Sequence, residues 1–336
     1  MFASASNPGL SSRGGTRRKP EMSAIPRSDV GGYGIELRGA LDLDAIAAPW
    51  AALARRALVA SPFCEHALLA AAARHLPEGR HLQTLLVWSG ETLVGVAPAM
   101  PARSGLGARR LVPWRVDLLP AATPLLDVEA AGPVLEAMLR FARGRGTPLV
   151  LADVPLGSAL AHLMRGAGLS AIPVAPLREA AEDVAASAAP TDDLAFATAR
   201  TPVEIRDAVE VFLALDAETA AARRRPALVQ DPGQANLVRT ATRRAARERT
   251  CRVAIARRDG APVAAAILVR DYAWLTAASA AEAPALAALL ARRRLAPAPA
   301  RNEWFLAPSA VGRPGLPARG LVAAARRLIG PQPRAT

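Results

Sequence analysis

Between Cys251 and Leu295 the apolar and polar positions follow two different periods in succession. Val253 and Ile255 alternate with Arg252, Ala254 and Ala256, the pattern of a half-buried strand. Val263 to Val269 is almost continuously apolar, as a strand covered on both faces would be. Asp259-Gly260 separates the two runs, and both residue types tolerate positive φ, so the pair predicts a tight hairpin. A second turn at Arg270-Asp271 returns the chain into Tyr272 to Ala278. The meander then runs into an Ala/Leu-rich helix ending in Arg292, Arg293 and Arg294, cations suited to the negative end of a helix dipole.

Upstream the same order recurs. The pattern predicts a strand at Gly34 to Leu37, then a helix from Asp42 or Asp44 to about Val59 with Ile46, Trp50, Leu53 and Ala57 on one face. A second helix starts at Ser61-Pro62-Phe63, with serine as cap and proline at the first position. Strands follow at Leu82 to Trp88, Thr92 to Pro98, Arg109 to Trp114 and Val116 to Leu119, then an apolar Pro124-Leu125-Leu126. A helix at Glu129 to Arg143, a strand at Leu149 to Val154, a helix at Ser158 to Ala167 and a strand at Ala171 to Val174 complete this copy.

Residues 178–199 are Ala/Ser/Asp-rich with few large apolar side chains and read as a crossing between two domains. Beyond them, Thr201 with Glu204 three residues on forms a capping box for a helix from Pro202 to about Ala222. Another helix, from Leu228 to Arg249, takes its cap from Asp231 ahead of Pro232. A strand at Glu303 to Ala307 and a closing helix from Leu316 to Ile329 finish the second copy. The fold class is thus α/β (α+β), with two tandem domains, each a mixed, mostly antiparallel sheet flanked by helices. The domains are residues 33–177 and 200–332, preceded by a disordered basic tail over 1–32 that buries too little apolar surface to fold.

Composition narrows the functional classes. Half of the 336 residues are apolar and only 4% are aromatic, so the core is built from Leu, Val and Ala. Lys19 is the sole lysine among 42 basic residues, a bias like the codon composition of a GC-rich bacterial genome. The net charge of +13 attracts phosphorylated cofactors and polyanions. Interleaved aromatics or a recognised module would mark a nucleic-acid binder, and neither is present. Cys64 and Cys251 are isolated and read as core thiols of a reducing compartment. No run reaches the roughly 18 apolar residues of a membrane span, and no signal core opens the chain, so a cytoplasmic location is expected. His66, His75, His81 and His162 have no metal-ligand spacing, and Ser104-Gly105-Leu106-Gly107 is a loop rather than a nucleotide fingerprint.

The order hairpin, central strand, helix resembles the GCN5-related N-acetyltransferase (GNAT) superfamily. More narrowly, the chain resembles its tandem-domain branch of BioF2-like and cellulose-biosynthesis CelD-like proteins, related to the Fem aminoacyl-transferases. The resemblance rests on Trp50 through Ser61-Pro62-Phe63, on Phe212 to Glu218 (FLALDAE), and on RRDGAPVAAAILV followed by Trp274 and Glu282, spanning residues 40 to 330. It implies transfer of an acetyl or acyl group from acetyl-CoA to an amine of a sugar, peptide or envelope precursor, without a metal.

It further implies a cofactor loop over Ser279 to Ala285 (Ser279, Ala280, Ala281, Ala283 and Ala285 among them), whose N–H groups ahead of the helix would meet the phosphates. Arg223 would join them, and Glu282 and Glu218 would be the catalytic carboxylates. Yet the loop lacks glycine, and the lysine and aspartate of the related pattern are Ala277 and Ala281 here. The Trp-Lys-Gly-Arg that often follows LDAE is Ala220-Ala221-Ala222-Arg223. These departures favour Glu282 as a dipole-stabilising carboxylate over a catalytic base. They also sustain an alternative: a catalytically degenerate GNAT-fold protein serving as a binding or scaffolding partner in polysaccharide assembly. A charge-driven binder of anionic polymers is a third, more distant reading.

Overall fold

The computed structural model describes residues 27–103, 109–114, 116, 118–119, 122–173, 193–220, 225–292 and 302–307. The tail up to residue 26, Ser104 to Gly107, residues 178–192 of the crossing, Arg223, Arg293, Arg294 and the closing helix at Leu316 to Ile329 lie outside them.

The first unit contains β1 (Ser28–Val30), β2 (Tyr33–Gly39), α1 (Ala47–Arg56), α2 (His66–His75), β3 (Gln83–Ser89), β4 (Thr92–Arg103) and β5 (Arg109–Pro113). It continues with β6 (Leu125–Leu126), α3 (Ala131–Gly144), β7 (Leu149–Pro155), α4 (Ala159–Gly166) and β8 (Ser170–Pro173). The second unit contains β9 (Leu194–Ala199), α5 (Pro202–Ala220), α6 (Pro232–Arg247), β10 (Cys251–Arg258), β11 (Ala261–Val269), β12 (Tyr272–Ala278) and α7 (Ala283–Ala291). One further strand, β13 (Asn302–Ala307), ends the described chain. Both sheets are mixed or antiparallel and carry helices on their faces, the fold class read from the hydrophobic pattern.

Local chemistry sets most boundaries where the sequence places them. Asp259 and Gly260 turn the β10–β11 hairpin at φ +50° and +81°. Thr201 and Glu204 form the capping box of α5: the Glu204 N–H donates to Thr201 Oγ1 at 3.3 Å, and the Thr201 N–H donates to Glu204 Oε2 at 3.1 Å. Asp231 caps α6 by accepting from Gly233 and Gln234 N–H. The Ser61 hydroxyl makes no capping bond, and Pro62–Cys64 closes a single 3-10 turn before α2 opens at His66. The first helix is likewise split, with a 3-10 segment over Ala40–Ile46 leading into α1. The crossing is not featureless at its end, because Leu194–Ala199 pairs antiparallel with β10.

The long-range departure is β13. The sequence assigns Glu303 to Ala307 to the second copy, but this strand lies antiparallel between β7 and β8, inside the sheet of the first unit. Phe305 is fully buried there among Leu149, Leu151, Val154, Leu160 and Met164. The short apolar run NEWFLA fits either sheet, so strand patterning cannot choose its partner. The second sheet is left with four strands, in the order β12-β11-β10-β9.

The two units share a core. Trp50, Leu53, Cys64 and Leu68 of the first form one cluster with Phe212, Leu237, Cys251, Ile267 and Trp274 of the second. Helices α2 and α6 pack closely, and Gly233 is what allows it: a Cβ there would sit 2.7 Å from the His75 carbonyl oxygen. Polar contacts line the seam. Asp44 accepts from Arg74 at 2.5 Å and from Arg244 at 2.8 Å, and His75 Nε2 lies 2.9 Å from Thr240 Oγ1. Arg270 donates to the buried Glu65 carboxylate from a backbone at φ +54°. A glycine would adopt that φ without strain, but only a long cation reaches Glu65.

The seam carries a pH dependence. Desolvation, and then the neighbouring Glu65 charge, raise the Glu248 carboxyl above its ordinary range, against the pull of Arg270 and Arg244. A carboxyl raised in the folded state stabilises the fold while protonated and loses that contribution as pH rises through its folded value. Glu248→Gln should therefore gain melting temperature relative to the wild type as pH rises from about 4. Parallel curves for the two proteins would place the titration elsewhere.

Candidate functional site

Two places carry chemistry. The first is the turn between β12 and α7. Strand β11 lies between β10 and β12, with α5 packed on one face and α7 on the other. The meander therefore aims its last turn at the helix as the sequence predicts. Two of the donors are used within the turn. Glu282 N–H bonds the Ser279 carbonyl at 3.1 Å, and Ala283 N–H bonds the Ala280 carbonyl at 3.3 Å. Pro284 has no N–H. Leu286 closes the first helical bond to Glu282, and Ala280, Ala281 and Ala285 offer N–H groups with no acceptor among the described residues. The Ala285 side chain is buried in the sheet-facing cluster with Leu289.

Glu282 occupies the N-cap without making a side-chain capping bond. Its carboxylate pairs with Arg258 at the end of β10, and Arg258 also donates to Asp193 at 2.5 Å. Bonds to Asp193 and then to Glu282 raise the Arg258 pKa. Glu282 is thus a neutralised carboxylate at a helix start. Glu218 lies exposed on α5, and no hydrogen bond or ion pair joins it to the Ser279–Ala285 turn among the described residues. Its neighbour Asp216 is the residue with structural consequence. It is fully buried, pairs with Arg225 and accepts from the Leu228 N–H at 2.9 Å, fixing the turn that follows α5. Its signal was present in the sequence: Asp216 falls four residues after Phe212, on the apolar stripe of the helix.

The second place is a crevice in the first unit that sequence reading did not isolate. Strands β5 and β7 run parallel but share a single residue pair, Leu111 with Leu149, held by the Leu111 N–H to the Pro148 carbonyl at 2.9 Å. Beyond it the strands part. Strand β5 leaves β4 at Pro113, opposite Ala99, and β6 resumes the pairing at Leu125, opposite Val96. Between them, Trp114, Leu119 and Ala122 are buried in the shared core rather than paired in the sheet. Trp274 of β12 donates to the Leu118 carbonyl at 2.9 Å, so the second unit holds this excursion in place.

Where parallel strands diverge at their carboxyl ends, a crevice opens that ligands commonly use. Helix α3 starts beside the end of β6 and α4 beside the end of β7, both on the same face of the sheet. Ser158 caps α4 by accepting from Ala161 N–H at 3.2 Å. The N–H groups of Ala131, Gly132, Ala159 and Leu160 have no acceptor among the described residues. Val128 and Leu156, which follow β6 and β7, are 53% and 51% exposed and form apolar lips. Asp127 beside them is neutralised by Arg56 at 2.5 Å.

Other chemistries are weak here. Burial pushes the Cys64 thiol well up and the Cys251 thiol to about 12, which leaves both unreactive. Among the described residues no group of His, Cys, Asp or Glu could hold a metal, and no helix is long and apolar enough to cross a membrane.

Residues 177–298 match the family model of the acetyltransferase (GNAT) domain, which covers β9 to α7 of the second unit. No curated protein matches the chain. Among solved structures, the C-terminal domain of a putative lysylphosphatidylglycerol synthetase from Agrobacterium fabrum is 14% identical, with 80% of each chain covered and a TM-score of 0.43. A conserved protein of unknown function from Bacteroides thetaiotaomicron is 13% identical over 88% of this chain and 95% of its own, at a TM-score of 0.37. A tandem GNAT protein from the clavulanic acid biosynthesis pathway is 16% identical over 87% and 94%, at a TM-score of 0.32.

The position of α3 beside the crevice depends on Gly95 of β4. A Cβ there would lie 2.6 Å from Val134 Cγ1 and 2.8 Å from Met138 Cε. Gly95→Ala should cost about 1–3 kcal/mol by overpacking. Gly132→Ala, whose Cβ would meet only Leu163 at 3.8 Å, should be neutral or stabilising. Equal melting temperatures for the two variants would refute this packing.

Proposed function

We propose that the protein is a GNAT-like acyltransferase, moving an acyl group from acyl-CoA to an amine of a sugar, peptide or envelope/polysaccharide precursor. The match of residues 177–298 to the acetyltransferase domain supports this reading. In it, the acyl donor takes the crevice between β5 and β7. Free N–H groups at the starts of α3 and α4 suit its phosphates, and the lips at Val128 and Leu156 suit its apolar arm. The reaction then needs the chain to hold the donor carbonyl and the amine together and to polarise that carbonyl with a backbone N–H. The turn at Ser279, Ala280, Ala281, Ala283 and Ala285 is the second place for the donor, with the N–H groups of Ala280, Ala281 and Ala285 having no acceptor among the described residues.

One observation favours a different reading, in which the fold is kept as a binding or scaffolding module without catalysis. Both proposed catalytic carboxylates are poorly placed: Glu282 is paired with Arg258, and Glu218 faces solvent. Calorimetric titration with acetyl-CoA, followed by CoA release in the presence of amines, separates the readings. Under the proposal, acetyl-CoA binds, and Leu156→Glu, which puts a carboxylate on an exposed lip, weakens it at least about tenfold. Ala281→Asp should leave that affinity unchanged; the reverse pattern would move the donor to the α7 turn. Glu282→Gln should leave turnover unchanged, since a general base would lose about 10²–10⁴-fold. No binding of acetyl-CoA would sink the enzyme reading and leave the scaffold.

A further inference from the structure

Helices α5 and α6 pack side by side, and charged residues line the cleft between them. At one turn the cleft is neutral. Arg239 donates through Nε and Nη2 to the two Glu210 oxygens, both at 2.7 Å, in the forked form that makes an ion pair strong. At the next turn the pattern breaks. Residues four apart share a helix face, so Arg243 follows Arg239 on α6 and Arg206 precedes Glu210 on α5. Both line the cleft, which puts a cation on each wall where the previous turn sets a cation against a carboxylate. Arg247 carries the positive stripe one turn further along α6.

The carboxylates of α5 do not neutralise this turn. Glu204 accepts from the Arg200 and Thr201 N–H groups and caps its own helix. Asp207 pairs with Arg206, its neighbour in sequence, but both are 64% exposed, so that contact contributes little. Arg243 and Arg247 are exposed and have no acidic partner among the described residues. Like charges four apart on a helix are mildly destabilising, so helix stability gives no reason for that pair. The floor is apolar, with Ile205 and Val209 buried beneath the arginines. The cleft encloses at most about 290 Å³, whereas drug-sized ligands take pockets of about 300–1,000 Å³. It has room for one charged group rather than a whole cofactor.

We propose that this cleft binds a phosphate monoester, its oxygens held between Arg206 of α5 and Arg243 of α6. Charge selects that group. Arg206, Arg243 and Arg247 stand against Asp207 alone, which leaves two positive charges for a ligand that carries about −1.5 to −2 at pH 7. Geometry selects it too. A carboxylate presents two oxygens, and the Arg239 fork shows how a single arginine occupies both. A phosphate monoester has three terminal oxygens and accepts from both walls at once. The cleft is separate from the turn at Ser279 to Ala285, because α5 packs on one face of the second sheet and α7 on the other.

Two probes test the cleft on the full chain: glycerol 1-phosphate by calorimetry, and phosphatidylcholine vesicles with or without phosphatidic acid by co-sedimentation. Phosphatidic acid carries the same monoester on a membrane. Binding of glycerol 1-phosphate assigns the cleft to a soluble ester, and binding confined to phosphatidic acid vesicles assigns it to a lipid headgroup. In either case Arg206→Gln and Arg243→Gln should each weaken binding at least about tenfold. Affinity should rise as pH passes about 6, where the monoester gains its second charge. Asp207→Asn removes the competing carboxylate and should tighten binding, an effect that damage to the fold would not produce. Arg252→Gln, on β10 and outside the cleft lining, should change nothing. Failure of both probes to bind at millimolar concentration would overturn the proposal. So would binding that Arg206→Gln and Arg243→Gln leave intact, or that Arg252→Gln weakens as much.

Discussion

The structure depends on how the sheet of the first unit is closed. Strand β7 forms one wall of the crevice, and its other side must be paired for it to lie inside a sheet rather than at an edge. The strand that pairs with it is β13, which arrives from beyond the second unit. The chain thus leaves the first unit, builds a four-stranded meander with its helices, and returns to finish the sheet it left. The two units are further joined by the shared core around Trp50, Phe212 and Trp274 and by the Glu65–Arg270 contact.

This interlock gives the Ala-rich composition a physical sense. Alanine offers little area to bury, so strength must come from close approach rather than large anchors. Gly95 under α3, Gly79 against the Ala73 carbonyl and Gly233 against the His75 carbonyl are points where backbone proximity replaces side-chain bulk. The few large rings then sit where the units meet. Trp50 donates to the Cys64 carbonyl, Trp114 to the Glu78 carbonyl and Trp274 to the Leu118 carbonyl. Each ring fills space and satisfies a carbonyl left over where a strand or helix ends.

Local features were legible in the sequence because local chemistry decides them. The Asp259-Gly260 hairpin, the Thr201–Glu204 capping box and the Asp231 cap each involve residues within four positions of one another. The partner of Glu303 to Ala307 was not, because a six-residue apolar strand carries no address. The candidate site divides the same way. The missing glycines told from sequence alone that the turn before α7 is less suited to a close backbone approach to phosphate. That Glu282 would be neutralised by Arg258, or that β5 and β7 would part after one residue pair, depends on contacts between residues 24 to 38 positions apart.

The most direct test of the interlock is a cross-link between register partners. Ser170 of β8 and Leu306 of β13 face one another across the antiparallel pair. Opposed residues in such pairs have Cβ atoms about 4.5–5.5 Å apart, within reach of a slightly adjusted disulfide. With Ser170→Cys/Leu306→Cys in the full chain, mild oxidation followed by peptide mass mapping should yield the 170–306 disulfide within one chain, with the melting temperature raised. If Leu306→Cys instead cross-links with Leu275→Cys on β12 and not with Ser170→Cys, the last strand belongs to the second sheet. The account of the crevice would then fall with it.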